Sequence, residues 1–237
     1  MNEKKVLLKK INRLLIKQFG IPKRQSPLPK PIDTLIATIL SQNTNDNNSY
    51  RAYIQLKNYV KKWEELKSIK RSTIEKLIRI GGLAKQKSVA IKNLINQLSI
   101  NNDLQLNLVN KLNNEEAIDY LTKFDGVGVK TASCVLLFSL DRNVCPADTH
   151  VHRTLNRIGI VNEKTPDKTF FTLNKILPDG IAHSLHTNLI RLGREICKPT
   201  KPLCSICSLK KICQYSDKNF DIKINSTQKS FMLLDNV

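Results

Sequence analysis

No stretch of this sequence stays apolar for long. The longest runs, such as Cys134-Val135-Leu136-Leu137-Phe138, fall far short of the roughly 20 residues that a bilayer-spanning helix needs. No membrane role is expected. The basic N-terminus has neither the continuous apolar core nor the small-residue cleavage site of a signal peptide. Strand-like alternation is missing too, as is any internal repeat of fixed period. Aromatics are few, at 5%. Acidic residues are outnumbered: 20 Asp and Glu stand against 39 Lys and Arg, a formal charge of +19. Such a surplus implies a polyanionic partner, because neutralising phosphates releases condensed counterions. Ribosomal and membrane-surface proteins carry similar charge, so charge alone does not choose the partner.

What is present is helix after helix, and the fold class expected is all-α. Hydrophobic residues at 41% exclude wholesale disorder, and 237 residues can bury one large core or two modest lobes. The first helix is amphipathic, with Leu7, Leu8, Ile11, Leu14 and Leu15 on one face. Pro22, Pro27, Pro29 and Pro31 mark a linker after it. Asp33 reads as the N-cap of an apolar helix running to about Gln42, and an Asn-rich turn leads into a helix with Tyr50, Tyr53 and Tyr59. Ser72-Thr73-Ile74-Glu75 has the capping-box pattern, in a helix that stops at Gly81-Gly82. Helices follow from Ala84 to Leu98, from about Asn113, from Val129 to Leu140, after Asp148, after Thr165-Pro166, and from Ala182 to Ile196.

Chemistry concentrates in three places. Phe124-Asp125-Gly126-Val127-Gly128-Val129-Lys130-Thr131-Ala132 fits a helix, a tight glycine turn and a second helix. Such a turn presents backbone N–H groups to phosphate beside the positive end of the next helix. An ordinary C-cap and turn is the plainer alternative. Lys130 lies in the first turn of the new helix, where the dipole disfavours an ammonium; a neutral amine can form a Schiff base. A solvated basic residue is the alternative there. Asp148 follows 18 residues later in Cys145-Pro146-Ala147-Asp148-Thr149-His150. It reads as an N-cap that, facing a cleft, could also take a proton from Lys130 or stabilise an oxocarbenium ion. His150 and His152 point to different faces of that helix and make a poor metal pair.

The third place is Cys197, Cys204, Cys207 and Cys213, four thiols within 17 residues. In a chain without secretion signals this favours metal ligation over disulfides and a reducing compartment. Zinc and an iron–sulfur cluster both remain open on spacing, although zinc ribbons favour two Cys-x-x-Cys knuckles and only Cys204 to Cys207 supplies one. Cys134 and Cys145 fall outside the pattern. Gly82-Leu83-Ala84-Lys85-Gln86-Lys87 reads either as a second phosphate contact or as a C-cap followed by solvated lysines.

Over roughly residues 1 to 215 the chain resembles the endonuclease III branch of the helix–hairpin–helix DNA glycosylases. The resemblance rests on Leu40-Ser41-Gln42-Asn43-Thr44, on Gly126 through Ala132, on Asp148-Thr149-His150, and on the six-two-five cysteine spacing. It implies a six-helix barrel with the hairpin at about 31–143 and a discontinuous lobe at about 1–30 and 144–214, leaving a tail at 215–237 unassigned. It implies Lys130 as nucleophile with Asp148 as catalytic partner, and a [4Fe–4S] cluster on Cys197, Cys204, Cys207 and Cys213. DNA contacts are expected from Gln42 or Asn43, one of which fills the stack vacated by a flipped base, from the backbone of Gly126, Val127 and Gly128, and from Lys198 and Lys201 on the cysteine loop.

The implied activity is removal of oxidised pyrimidines from duplex DNA, then β-elimination at the abasic site, by a monomer in the cytoplasm or nucleoid. A mismatch thymine or uracil glycosylase, a non-catalytic DNA-binding module and, remotely, a zinc-ribbon RNA-binding protein are the alternatives. Two departures stand out: Asp125 replaces the proline usual before the first hairpin glycine, and Asn43 stands where an ungapped match expects glutamine.

Overall fold

The computed structural model describes residues 2–221 and 229–237, and every regular element among them is helical. The part of the tail at 222–228 lies outside the described residues. In chain order the helices are α1 (Asn2–Phe19), α2 (Pro31–Leu40), α3 (Asp46–Tyr59), α4 (Arg71–Leu77), α5 (Ala84–Ile100), α6 (Asn107–Lys111), α7 (Asn114–Leu121), α8 (Val129–Phe138), α9 (Thr149–Ile158), α10 (Pro166–Lys175) and α11 (Ala182–Arg191). A π-helical turn, Leu192–Ile196, continues α11 to the first clustered cysteine.

The chain divides into two compact units. The first, here the cysteine unit, combines Met1–Lys23 with Arg142–Ser230; the second, the hairpin unit, combines Arg24–Asp141 with Phe231–Val237.

The hairpin unit is built around α2 and α8. A helix apolar on all sides must be buried on all sides. In α2 every residue from Ile32 to Leu40 is buried, and in α8 every residue from Thr131 to Phe138. These two helices pack on each other, with α3 and α5 also against α2. Leu35, Ile36, Ile39 and Leu40 are all 0% exposed, and each such side chain contributes about 1.5–3 kcal/mol relative to exposure.

Asp33 does not cap α2. Lys30 is the N-cap, Pro31 takes the first helical position, and Asp33 sits two residues further in, buried at 8% exposure. Its Oδ1 accepts from the Tyr53 hydroxyl at 3.0 Å, from Trp63 Nε1 at 2.8 Å and from Lys57 Nζ. The carboxylate is thus the hub that ties α2 to α3 and to the 3-10 turn at Trp63–Lys67. The Ser72 capping box is likewise not formed: Lys70 is the N-cap of α4, and Glu75 pairs with Arg71 instead. The connection between α5 and α7 contains the short helix α6.

The end of the tail has a place in this unit. Leu233 is 2% exposed, its N–H donates to Asp46 Oδ2 at 2.9 Å, and Phe231 meets Tyr50 edge-on.

In the cysteine unit, α1 buries Leu8, Ile11 and Leu15 and packs on α11. Gln18 at its end grips the cysteine loop twice, donating to Ile206 O at 2.8 Å and accepting from Ser208 N at 3.0 Å. Thr165 caps α10, with Pro166 in the first helical position.

Candidate functional site

The glycine hairpin joins α7 to α8. Val127 is buried and its N–H donates to Phe124 O at 3.1 Å, which closes the turn and leaves Gly126 and Gly128 on the outside. Gly126 has φ +76°, a left-handed conformation that glycine adopts without strain, and a Cβ there would lie 2.9 Å from the Ala90 Cβ. Gly128 is the N-cap of α8 in extended backbone, with no side-chain cap. The first intrahelical bond runs from Ala132 N to Gly128 O at 3.0 Å. The N–H groups ahead of it therefore emerge at the exposed turn, at the positive end of the helix, which is the arrangement an anion needs. Lys130 is the second residue of α8 and is half-buried. Asp125 is exposed and accepts from Asn93 Nδ2 of α5 at 3.0 Å.

The turn after α2 is tied to this hairpin. Gln42 Nε2 donates to Gly126 O at 2.8 Å, and Thr131 Oγ1 lies 3.5 Å away. Asn43 is exposed in the left-handed region at φ +51°. Non-glycine residues seldom adopt that region, and asparagine is among those that tolerate it best. The two candidates for filling a vacated stack thus differ: Gln42 is engaged with the hairpin, and Asn43 projects from a tight turn.

A third loop of the same unit, within the Gly82–Lys87 segment, presents an exposed apolar residue. Leu83 precedes α5, is 48% exposed and has φ +49°, following Gly82 at φ +68°. A leucine is strained in that region, and strain held at an exposed apolar tip is a reason to look for function. Its sequence signal is faint: an apolar residue between two glycines and a lysine-rich helix start. Lys87, counted with this segment as a phosphate contact or a solvated lysine, is neither. It is 2% exposed, and burial pushes its ammonium down to about 8.

In the cysteine unit, Asp148 caps α9: its Oδ1 accepts from Val151 N at 2.8 Å, and the residue is half-buried. Burial lowers His150 below the ordinary imidazole range; Asp148 acts against that shift, and Arg194 and Arg153 add to it. His152 faces elsewhere, with Nδ1 2.7 Å from Thr169 Oγ1. Lys130 and Asp148 belong to different units.

None of the six cysteines forms a disulfide. Cys134 and Cys145 are 0% exposed in the core. Cys197, Cys204, Cys207 and Cys213 border one hollow with about 340 Å³ of empty space, part of it open to solvent. No group of three or more His, Cys, Asp or Glu among the described residues is gathered as a site for a metal ion. Burial pushes the Cys207 thiol up to about 11 and raises that of Cys213. Four soft sulfur donors around a common space match a thiolate-bound metal centre in chemistry, since a metal converts such thiols to thiolates.

Arg157 fixes the rim of this hollow. Its guanidinium reaches Cys197 Sγ at 3.5 Å, Lys198 O at 2.7 Å and Pro199 O at 2.8 Å, and stacks 4.1 Å from the centre of the Tyr215 ring. Lys198 and Lys201 are both exposed on the loop so held.

Residues 36–179, more than half of the chain, match the HhH-GPD superfamily of base excision DNA repair proteins. The chain belongs to that family. It is 32% identical over 211 residues to endonuclease III of Thermotoga maritima, an alignment covering 88% of this chain and 93% of the relative. It is 41% identical over 179 residues to a putative DNA glycosylase of Arabidopsis thaliana, covering 74% of this chain but only 58% of the plant protein. Among solved structures, a non-covalent endonuclease III–DNA complex superposes with a TM-score of 0.76 at 25% identity, over 89% of this chain and 95% of that one. The HhH-GPD fold and the all-α expectation agree.

Proposed function

We propose that this chain is a base-excision-repair DNA glycosylase with AP-lyase activity, removing oxidised pyrimidines from duplex DNA. The observation that carries the proposal is the placement of Lys130, half-buried in the first turn of α8 directly behind the exposed Gly126–Gly128 turn, in a member of a base-excision family. A phosphate held at the turn brings the sugar of the same nucleotide strand toward that amine.

In this reading the damaged nucleotide leaves the stack, at a cost of a few kcal/mol that is smallest for a poorly stacked lesion. Lys130, as the neutral amine, attacks C1′. The C1′–N bond breaks and the base departs with that electron pair and a proton. Ring opening leaves an imine between Lys130 Nζ and C1′. Transfer of a C2′ proton to water then forms the C2′–C3′ double bond and expels the 3′ phosphate, which leaves with the electron pair of the C3′–O bond. Asp148 is the proton acceptor that frees the Lys130 amine, and once it has passed that proton to the departing base its carboxylate offsets positive charge at C1′.

Three loops of the hairpin unit share the DNA contacts. Gly126 and Gly128 offer backbone N–H groups to phosphate, and Val127, whose own N–H is held by Phe124 O, closes the turn between them. Asn43 fills the vacated stack, since Gln42 is already held by Gly126 O at 2.8 Å. Leu83 is the apolar wedge, a role that suits an exposed aliphatic tip next to a strained backbone. Lys198 and Lys201 add phosphate contacts from the cysteine loop.

Cys197, Cys204, Cys207 and Cys213 would hold a [4Fe–4S] cluster, supported by their spacing and by the single hollow they border. Its contribution when bound is to cross-link the loop that carries Lys198 and Lys201. No helix among the described residues is long and apolar enough to cross a membrane. We place the protein as a monomer in the cytoplasm, associated with the nucleoid.

The test is incubation with duplexes carrying one oxidised pyrimidine, with a G·T mismatch as the control. Release of the oxidised base with strand scission by β-elimination supports the proposal. Release of mismatched thymine alone, or binding without base release, contradicts it.

A further inference from the structure

We propose that Lys87 is a positioning residue that sets the spacing between the two DNA-inserting loops, the turn carrying Asn43 and the turn carrying Leu83. This rests on the glycosylase reading above and goes one step deeper into the same surface.

The side chain of Lys87 is 2% exposed and reaches two backbone carbonyls, Leu40 O at 2.7 Å and Gly81 O at 2.8 Å. Each carbonyl is the last fixed point before a loop with unusual backbone. Leu40 ends α2, and Ser41, Gln42 and Asn43 follow at once. Gly81 precedes Gly82 and Leu83, both at positive φ. The two anchor points are close neighbours: a Cβ on Gly81 would sit 3.2 Å from the Ala52 Cβ and 3.8 Å from Leu40 O. One ammonium therefore bridges the roots of both loops.

The chemistry of the helix end explains why a cation belongs there. The final carbonyls of a helix lack intrahelical partners and carry partial negative charge. The last turn of α2 contains no basic residue of its own. Lys87, from the second turn of α5, supplies that charge across the unit. A bond from a charged donor is stronger and shorter than a neutral one, and two of them from one Nζ hold two loops to one distance. A residue that fills a gap and a residue that wedges a step must enter the duplex together, so their spacing matters more than the strength of either contact.

The test compares wild type with Lys87→Met, which keeps the buried stem and loses both bonds. Base release from a lesion in duplex DNA should fall about tenfold, the size expected for one charge-assisted bond to a positioned group. Borohydride trapping on a single-stranded abasic oligonucleotide, which needs no insertion, should change less than about twofold, a difference too small to register as a lost hydrogen bond. The fluorescence gain of 2-aminopurine beside the lesion should fall in parallel with duplex activity. Lys87→Gln, whose amide can reach one carbonyl, should fall between and serves if Lys87→Met does not fold. Equal losses on both substrates, or an unchanged duplex rate in a folded variant, would overturn the proposal. Wild type that releases no base at all would instead refute the glycosylase reading on which it stands.

Discussion

Gln42 donates its side-chain amide to the carbonyl oxygen of Gly126 at 2.8 Å. The bond spans 84 positions of sequence and joins the turn after α2 to the glycine hairpin before α8. It divides the labour between two adjacent amides, because the hairpin already occupies Gln42 while Asn43 stands exposed. Asn43→Ala should therefore cut 2-aminopurine fluorescence beside a lesion and lower duplex base release by about tenfold, with the affinity for undamaged duplex nearly unchanged. Gln42→Ala should weaken binding to undamaged duplex as well, because it loosens the phosphate turn. The reverse pattern would assign the stack-filling role to Gln42.

The hairpin tolerates no side chain at its first glycine. Gly126→Ala puts a Cβ 2.9 Å from the Ala90 Cβ at a φ of +76°. Strain of this kind costs about 1–3 kcal/mol, and thermal unfolding should show a clear drop in Tm. Gly128→Ala, with no atom within 4 Å of the new Cβ and a φ of −97°, should unfold near the wild-type temperature but bind duplex more weakly.

Much of this was legible beforehand. The glycine hairpin, the Asp148 cap, the Thr165-Pro166 helix start and the all-helical class follow from local rules that the folded chain obeys. What was not legible depends on partners outside the motif itself. Asp33 has the look of an N-cap, yet Pro31 can open the helix two residues earlier, and Tyr53, Trp63 and Lys57 then claim the carboxylate. Ser72 to Glu75 spells a capping box, but Arg71 takes Glu75 and moves the helix start back. Lys87 reads as a phosphate contact or a solvated lysine, because nothing local says that two loop carbonyls wait beside it. Leu83 gives only a faint local warning, an apolar residue between two glycines and the start of α5.

Burial of Lys87 has a consequence in alkali. Its ammonium is lowered from 10.5 to about 8 in the folded chain. Between those values the unfolded state holds a proton that the folded state has released, so stability from this group rises with pH. It is fully present above about 10.5 and is lost as pH falls through about 8. Urea unfolding of wild type and Lys87→Met at pH 8 and pH 10 should show the difference in stability shifting toward wild type at the higher pH. A difference independent of pH would contradict the burial argument.

Lys198 and Lys201 are exposed on the loop held by Arg157. If they touch phosphate, each alanine substitution should lower the slope of log affinity against log salt by about 1, equally for damaged and undamaged duplex. An unchanged slope would place them away from DNA.

The four-thiol hollow makes a separate prediction. Protein purified under anaerobic conditions should be brown and contain iron and inorganic sulfide, and Cys204→Ser should lose the colour and unfold at lower temperature. Stoichiometric zinc in colourless protein would contradict the cluster assignment.

The proposed mechanism requires the Lys130 amine to bond covalently to the sugar. The most direct measurement is borohydride trapping on a duplex with a single abasic site, comparing wild type with Lys130→Ala. Wild type should form a covalent protein–DNA adduct and the folded variant none. No adduct from cluster-loaded wild type, or an equal adduct from Lys130→Ala, would contradict it.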